Sequence, residues 1–393
     1  MKNLSIIPTK NISRILHKAI KSPGFAIHSF YRRLLSYLTY RFGNGYSAPP
    51  ETISFFLSYR CNLKCSMCGQ WGEHGIYKDY AQDKLKQGLA LGAIKKLMQE
   101  FSSFKPTITL FGGEPTLYKD WVSVVQIAKE NGLRCNIVTN AVLLARYAGE
   151  MVKLGLDEII FSLDGPRDIH DKIRGVKGTF DRAMEGFKLL KQFKKEQRKK
   201  KPLVTINATV NGDNYNRLSE LIEIADEIGA YHLNIHHLLF LNKDICDRHN
   251  TFFKGTFGVS SPDWYGFVWA QLPQINPDIL LQEFKKIRDI QSSAAVNFYP
   301  NFTDDEIKKY YTGWEFESES YSNRCLSPWM VAYIFPDGSV VPYHTMNYPM
   351  GNVNESSFNE IWNNARYRRF RQVLRKIKRF HVCSKGCTEL YRY

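Results

Sequence analysis

The first fifty residues of this 393-residue chain contain no aspartate and no glutamate, against eight lysines and arginines: Lys2, Lys10, Arg14, Lys18, Lys21, Arg32, Arg33 and Arg41. They carry half of the formal charge of +16, a bias that suits an anionic surface. Cysteine is also sparse. Eight in a chain this long exclude a disulfide-stapled secreted module, and no leader with an apolar core and a small-residue cleavage site is evident. A reducing, cytoplasmic setting is therefore expected. No run of about 18 apolar residues occurs, so no membrane span is expected. Internal repeats and low-complexity tracts are missing too, which excludes solenoids and disordered arrays.

What is present is enough for a sizeable core: 44% hydrophobic and 14% aromatic residues, in a length that suits two or three domains. The segment from Asn11 to Phe42 reads as two amphipathic helices broken at Ser22, Pro23 and Gly24. Such helices lie flat on an anionic membrane as a peripheral contact, or pack on the main domain; a cleaved organelle-targeting peptide shares the composition. A second basic run, residues 363–380, makes nucleic acid a candidate partner.

From residue 48 the pattern changes to short apolar runs alternating with helical stretches. Strands are predicted at 52–58, 107–111, 134–140, 158–164, 203–210 and 231–238. Six strand–helix units imply an α/β fold with a parallel sheet, open or curled into a partial (β/α)6 TIM-type barrel, with functional groups at the carboxyl ends of the strands. Residues 1–47 form a basic extension, 48–240 the barrel, 241–318 a bridging region whose periodicity Pro, Asn and aromatics interrupt, and 319–393 a C-terminal unit. That unit contains a hairpin at YIFPDGSVVPY, a helix from SSFNEIWNNARYRRFRQVL and a closing CSKGC.

The stretch SYRCNLKCSMCGQ places Cys61, Cys65 and Cys68 directly after the first strand. Three thiols are one short of a closed structural zinc site and odd for a disulfide framework. Three thiolates on a short loop hold three irons of a four-iron cluster and leave the fourth open. With these spacings the chain resembles the radical S-adenosylmethionine (radical SAM) superfamily over residues 52 to about 240. The resemblance implies a [4Fe-4S] cluster on Cys61, Cys65 and Cys68, and S-adenosylmethionine bound at it. It also implies reductive cleavage of that cofactor to a 5'-deoxyadenosyl radical, which takes a hydrogen atom from the substrate. A ferredoxin or flavodoxin-type partner would supply the electron.

FGGEPTL, with Gly112, Gly113 and Glu114, resembles the family segment that binds the amino group of the cofactor's methionine moiety; alone it reads as a turn. Asn140 in TNA, and Ser162 and Asp164 in SLDG, match positions lining the family's cofactor cleft. Arg174 is placed to pair with a carboxylate of cofactor or substrate, or to form an ordinary surface salt bridge. The tail resembles the SPASM/twitch auxiliary-cluster domain through Cys325, PDG, Cys383 and Cys387, but has Tyr343 and then His344 where the family has a cysteine. At most one auxiliary iron–sulfur cluster is supported, with His344, Tyr343, solvent or substrate as fourth ligand; a Cys3His zinc site or a scaffold without metal uses the same residues. Cys135 reads as a buried apolar residue and Cys246 as a free thiol. The expected substrate is a peptide, a sugar or another small metabolite. The alternatives are an RNA-modifying enzyme of the same family and a non-catalytic iron–sulfur scaffold or electron carrier.

Overall fold

The structure, a computed structural model, describes residues 23–392, with side chains from residue 27 onward. The first of the two N-terminal helices expected from the sequence lies outside the described residues; the second spans Pro23–Phe42, with its proline at the start.

The predicted strands form β1 (Thr52–Phe56), β2 (Thr107–Phe111), β3 (Arg134–Thr139), β4 (Glu158–Ser162), β5 (Leu203–Thr209) and β6 (His232–His236). Each pairs in parallel with the next. Several stop one or two residues earlier than their apolar patterns, and the residues left over, Ser58, Asn140 and Asp164 among them, bend away into the rim. Two further parallel strands extend this set. β7 (Ala295–Tyr299) comes from the bridging region and pairs with β6; β8 (Val331–Ile334) comes from the tail and pairs with β1. The hairpin at YIFPDGSVVPY is present as β8 and the antiparallel β9 (Ser339–Val341), followed by β10 (Gly351–Asn352). The result is an open ten-stranded sheet, a partial barrel with eight parallel strands where six units were expected, and the tail is continuous with it.

Helices cover one face of the sheet. Ile53, Phe55, Ile108, Leu110, Ile137, Phe161, Ile206 and Leu233 alternate onto that side and share a single buried core with Ile94, Leu97, Val125, Val152 and Phe187 of the helices. The other face carries Thr109, Asn136, Ser162, Asn207, Asn234 and Asn297, so these strands alternate where a sheet buried on both sides reads as continuously apolar. The polar face is the inside of the barrel.

The bridging region is ordered. Helices Lys243–Phe257, Pro277–Asp289 and Asp304–Thr312 begin at Asn242, Asn276 and Thr303, whose side chains accept hydrogen bonds from the first turn. The single tail helix expected is two, Phe358–Trp362 and Ala365–Ile377, because Asn364 caps the second. The second basic run is partly structural. Arg371 is buried, sits 4.2 and 4.1 Å from the rings of Trp362 and Tyr367, and donates to the carbonyls of Pro328, Gly45 and Trp362. Burial lowers its pKa to about 9.

Candidate active site

Past its last ladder position, the β1 chain stays beside the chain leaving β2. The Leu57 N–H donates to the Phe111 carbonyl (2.9 Å), Gly113 N–H to Ser58 (2.8 Å) and Glu114 N–H to Arg60 (2.8 Å). A Cβ on Gly113 would lie 2.2 Å from the Arg60 carbonyl, and one on Gly112, at φ +134°, 2.6 Å from that of Ser58. Both glycines therefore permit contact with the segment leading into Cys61. The sequence placed them toward a cofactor; the structure gives the space of their absent side chains to this backbone.

Cys61, Cys65 and Cys68 are half-buried, free thiols on one loop. The loop is held by Cys68 N–H to the Cys65 carbonyl (3.0 Å), Gly72 N–H to the Cys68 carbonyl (2.8 Å) and Ser66 N–H to the Ile173 carbonyl (2.9 Å). Two sulfurs accept hydrogen bonds, Cys68 from the Trp71 N–H (3.4 Å) and Cys65 from the Arg174 guanidinium (3.5 Å). Burial, partly offset by the Leu63 backbone, pushes the Cys61 thiol up to about 12, with Cys65, Glu114 and Cys68 adding to the rise. Burial raises Cys65 too, against the pull of Arg174. Thiols so placed are poor free thiolates, yet they present an all-sulfur donor set with N–H groups aimed at two of the sulfurs. That environment fits an iron–sulfur cluster.

Arg174 is buried. It ends the helix Arg167–Arg174, after which Gly175 turns at φ +72° with its Cα side against the Lys64 carbonyl. Its guanidinium pairs with Asp164 at 2.6 Å, the two side chains being 9% and 1% exposed, so the surface salt bridge is not what forms. Asp164 also accepts from the Thr209 N–H at 2.9 Å. Burial pulls the guanidinium pKa down, but Asp164 and Cys65 outweigh it and hold it above its ordinary value. Asp164 is thus committed to Arg174, and Arg174 links the rim of β4 to Cys65.

Glu114 is fully buried. One carboxylate oxygen accepts from the Thr116 N–H (3.1 Å) and the hydroxyls of Thr116 (2.6 Å) and Thr139 (2.8 Å); the other accepts from the Asn140 N–H (2.9 Å). Burial pushes its carboxyl up and these bonds oppose the rise. The Asn140 side chain donates to Asn62, next to Cys61, at 2.8 Å. Glu114 and Asn140 therefore staple the ends of β2 and β3 to the cysteine loop, and the carboxylate is occupied within the protein.

Ser162 ends β4 in register with Asn207, Asn234 and Asn297 on β5, β6 and β7. The Asn234 amide donates to Asn207 (2.9 Å) and the Asn297 amide to Asn234 (3.1 Å), giving an uncharged ladder across the inner face. No motif singles out these residues in the sequence, although one asparagine at an alternating position of INAT, LNIH and VNFY is a legible signal. A cavity of about 650 Å3 lies between His74, Lys243, Asp244, Tyr265, Trp269 and Trp314, and none of the three cysteines lines it.

In the tail, Cys325, Cys383 and Cys387 are all buried, and the Cys383 and Cys387 thiols are hydrogen-bonded to each other. Burial raises the Cys325 thiol, and neighbouring Cys387 raises it further. Burial also raises the Tyr343 hydroxyl, and Cys387 raises it further. The His344 ring lies 5.7 Å from both Phe111 and Tyr333, its Nδ1 is 2.9 Å from the Thr345 hydroxyl, and burial lowers its pKa to about 4. Tyr343 is influenced by Cys387 of the tail trio, and the His344 ring lies 4.2 Å from the Tyr343 ring. Among the described residues no three His, Cys, Asp or Glu side chains gather closely enough to hold a single metal ion, and this applies to the barrel trio and the tail trio alike. Between the cysteines, Lys385 donates to the carbonyls of Tyr310 and Gly313 and fastens the tail to the bridging region. Cys135 and Cys246 are buried and free, as expected.

Residues 55–240 match the radical SAM superfamily, and residues 325–388 match SPASM, an iron–sulfur cluster-binding domain. The chain is 28% identical over 320 residues to an Fe-coproporphyrin III synthase of Methanosarcina barkeri, covering 78% of this chain and 72% of that one. It is 26% identical over 342 residues to an AdoMet-dependent heme synthase of the same organism, covering 84% and 85%. Its fold is similar to that of Streptococcus suis SuiB bound to precursor peptide SuiA, with TM-score 0.59, 14% identity, and coverage of 91% and 76%. With S-adenosylmethionine bound to SuiB, coverage of that chain is 66% at TM-score 0.57. The cofactors implied are a [4Fe-4S] cluster and S-adenosylmethionine, with auxiliary iron–sulfur in the tail. The motifs, the open parallel barrel and the two domain matches together make this chain a member of the radical SAM superfamily, a radical SAM enzyme with a C-terminal SPASM domain.

Proposed function

We propose that Cys61, Cys65 and Cys68 hold the [4Fe-4S] cluster and that the enzyme removes a hydrogen atom from a small organic substrate held at the inner rim of the barrel. The observation that carries this reading is the buried chain from Asp164 through Arg174 to the Cys65 sulfur, a cation fixed beside a thiol trio at the strand ends. The chemistry the cofactors supply when bound is reductive cleavage of S-adenosylmethionine and abstraction of that hydrogen. The protein's part is positioning. Gly112, Gly113, Glu114 and Asn140 fix the cysteine loop against β2 and β3, while Ser162 and the asparagine ladder offer hydrogen bonds to cofactor or substrate. Cys325, Cys383 and Cys387 hold one auxiliary cluster with a non-cysteine fourth position, and a ferredoxin or flavodoxin-type protein delivers electrons.

A tetrapyrrole is the substrate class we favour over a peptide or sugar. The relatives named for coproporphyrin and heme resemble the chain in sequence over most of its length, whereas the peptide-bound structure resembles it in fold alone. The cavity lies within the roughly 300–1,000 Å3 of small-molecule sites, and its walls of Trp269 and Trp314 suit a flat molecule. The test is 5'-deoxyadenosine formation by the reduced, anaerobically reconstituted protein, with an iron coproporphyrin or a peptide added. A rise over the substrate-free rate with the porphyrin, and a matching mass change, supports the reading; a rise with the peptide alone overturns the substrate class. Peripheral contact with a membrane through the N-terminal extension completes the proposal.

A further inference from the structure

Six of the nine exposed large hydrophobic residues among those described lie on the helix Pro23–Phe42 or just after it: Ile27 (70% exposed), Phe30, Tyr31, Leu38, Phe42 (78%) and Tyr46. At 100° per residue, positions 27, 31, 38 and 42 fall within an arc of about 60°, one continuous stripe roughly 22 Å long. The opposite side of the helix is clamped. Arg33 makes a two-pronged pair with Glu51 at 2.9 and 3.1 Å, and Arg32 donates to the Phe104 carbonyl at 2.6 Å. Tyr37 and Tyr40 are buried, with Tyr40 edge-on to Trp329 at 5.0 Å and the Arg324 guanidinium over both tyrosines. The stripe is therefore fixed outward and cannot turn into the core.

Its surroundings choose the occupant. Exposed Arg41 lies beside the stripe, the first fifty residues hold no acid and five more basic residues precede the described ones in sequence, and an anionic bilayer offers both apolar depth and opposite charge. Among the described residues no helix is long and apolar enough to cross a membrane. The anchoring contacts also set an orientation. Glu51 precedes β1, Phe104 precedes β2 and Trp329 precedes β8, so the helix sits at the amino ends of these strands, while Cys61, Cys65 and Cys68 follow the carboxyl end of β1. One strand length, about 17 Å for five residues, separates the two ends.

Deepening the membrane contact proposed above, we propose that the Ile27–Tyr31–Leu38–Phe42 stripe seats the protein on an anionic lipid surface with the mouth of the barrel turned away, toward the aqueous phase. The orientation rests on the reading of the cysteine rim as the catalytic end; the docking does not.

The experiment compares partitioning of the full-length holoenzyme into phosphatidylcholine vesicles with and without phosphatidylglycerol. Partitioning is expected only with the anionic lipid, falling as salt rises, and dropping at least about tenfold in Ile27→Glu/Tyr31→Glu/Leu38→Glu. The same variant should keep the wild-type rate of 5'-deoxyadenosine formation, and Cys61→Ala/Cys65→Ala/Cys68→Ala should still bind vesicles, which separates docking from catalysis. Equal partitioning of wild type and stripe variant overturns the docking face, as does a change from dimer to monomer in the variant without vesicle binding. Vesicles that block or gate 5'-deoxyadenosine formation overturn the orientation.

Discussion

Replacing Arg174 with methionine keeps much of its length and removes its charge. What remains is the Asp164 carboxylate, 1% exposed and left with the Thr209 N–H as its chief stabilising partner. Removing one partner of a buried ion pair costs about 3–5 kcal/mol, because the other charge stays desolvated and uncompensated. Arg174→Met should therefore lower the unfolding free energy by roughly that amount, and adding Asp164→Asn should recover most of it. The pH dependence has a definite sign. Burial already holds the Asp164 carboxyl above its ordinary value despite Arg174. Without the guanidinium the rise grows, and the folded protein binds a proton the unfolded chain has released. Both proteins lose stability as pH rises from about 4, so the variant's deficit should be smallest in acid and widen only above the wild-type folded-state pKa of Asp164, up to the higher folded-state pKa in the variant. Urea unfolding of wild type, single and double variants across this range measures it. A deficit below about 1 kcal/mol, or one that ignores pH and is not relieved by Asp164→Asn, would refute the coupled buried pair.

Gly113→Val forces a side chain to within 2.2 Å of the Arg60 carbonyl, so the variant should lose iron and cofactor cleavage together; iron retained at the wild-type level would show that the loop tolerates the shift. His344→Ala should leave tail iron unchanged, measured in protein lacking the barrel trio, because the imidazole packs on Phe111 and Tyr333; loss of that iron would make His344 a ligand after all.

The strands and their order were legible because each pairs an apolar alternation with a turn, and the cysteine trio because its spacing is unlike that of zinc or disulfide frameworks. The bridging region was opaque for a specific reason. Asn242, Asn276 with Pro277, and Thr303 look like interruptions of periodicity, yet they are the caps that start three helices. Asn364 misled in the same way, dividing one basic periodic run into two helices. Long-range pairing was invisible as well. Nothing local in VAYI says that β8 adds to β1 across some 280 residues of chain, or that Arg371 is buried between two aromatic rings. The site differs from its expected form where burial decides. Glu114 and Asp164, expected at the cofactor cleft, are also enclosed and bonded within the protein, to Thr116 and Thr139 and to Arg174, contacts that no local pattern displays.

The most direct test of the account isolates the barrel trio. Protein with Cys325, Cys383 and Cys387 changed to alanine is reconstituted anaerobically, reduced, and examined for iron, for its electron paramagnetic resonance with and without S-adenosylmethionine, and for 5'-deoxyadenosine. The account predicts about four irons per chain, a signal that changes when S-adenosylmethionine is added, and loss of both iron and 5'-deoxyadenosine when Cys61, Cys65 and Cys68 are also replaced. Cleavage that persists without those three cysteines, or a cluster whose signal is indifferent to S-adenosylmethionine, would contradict it.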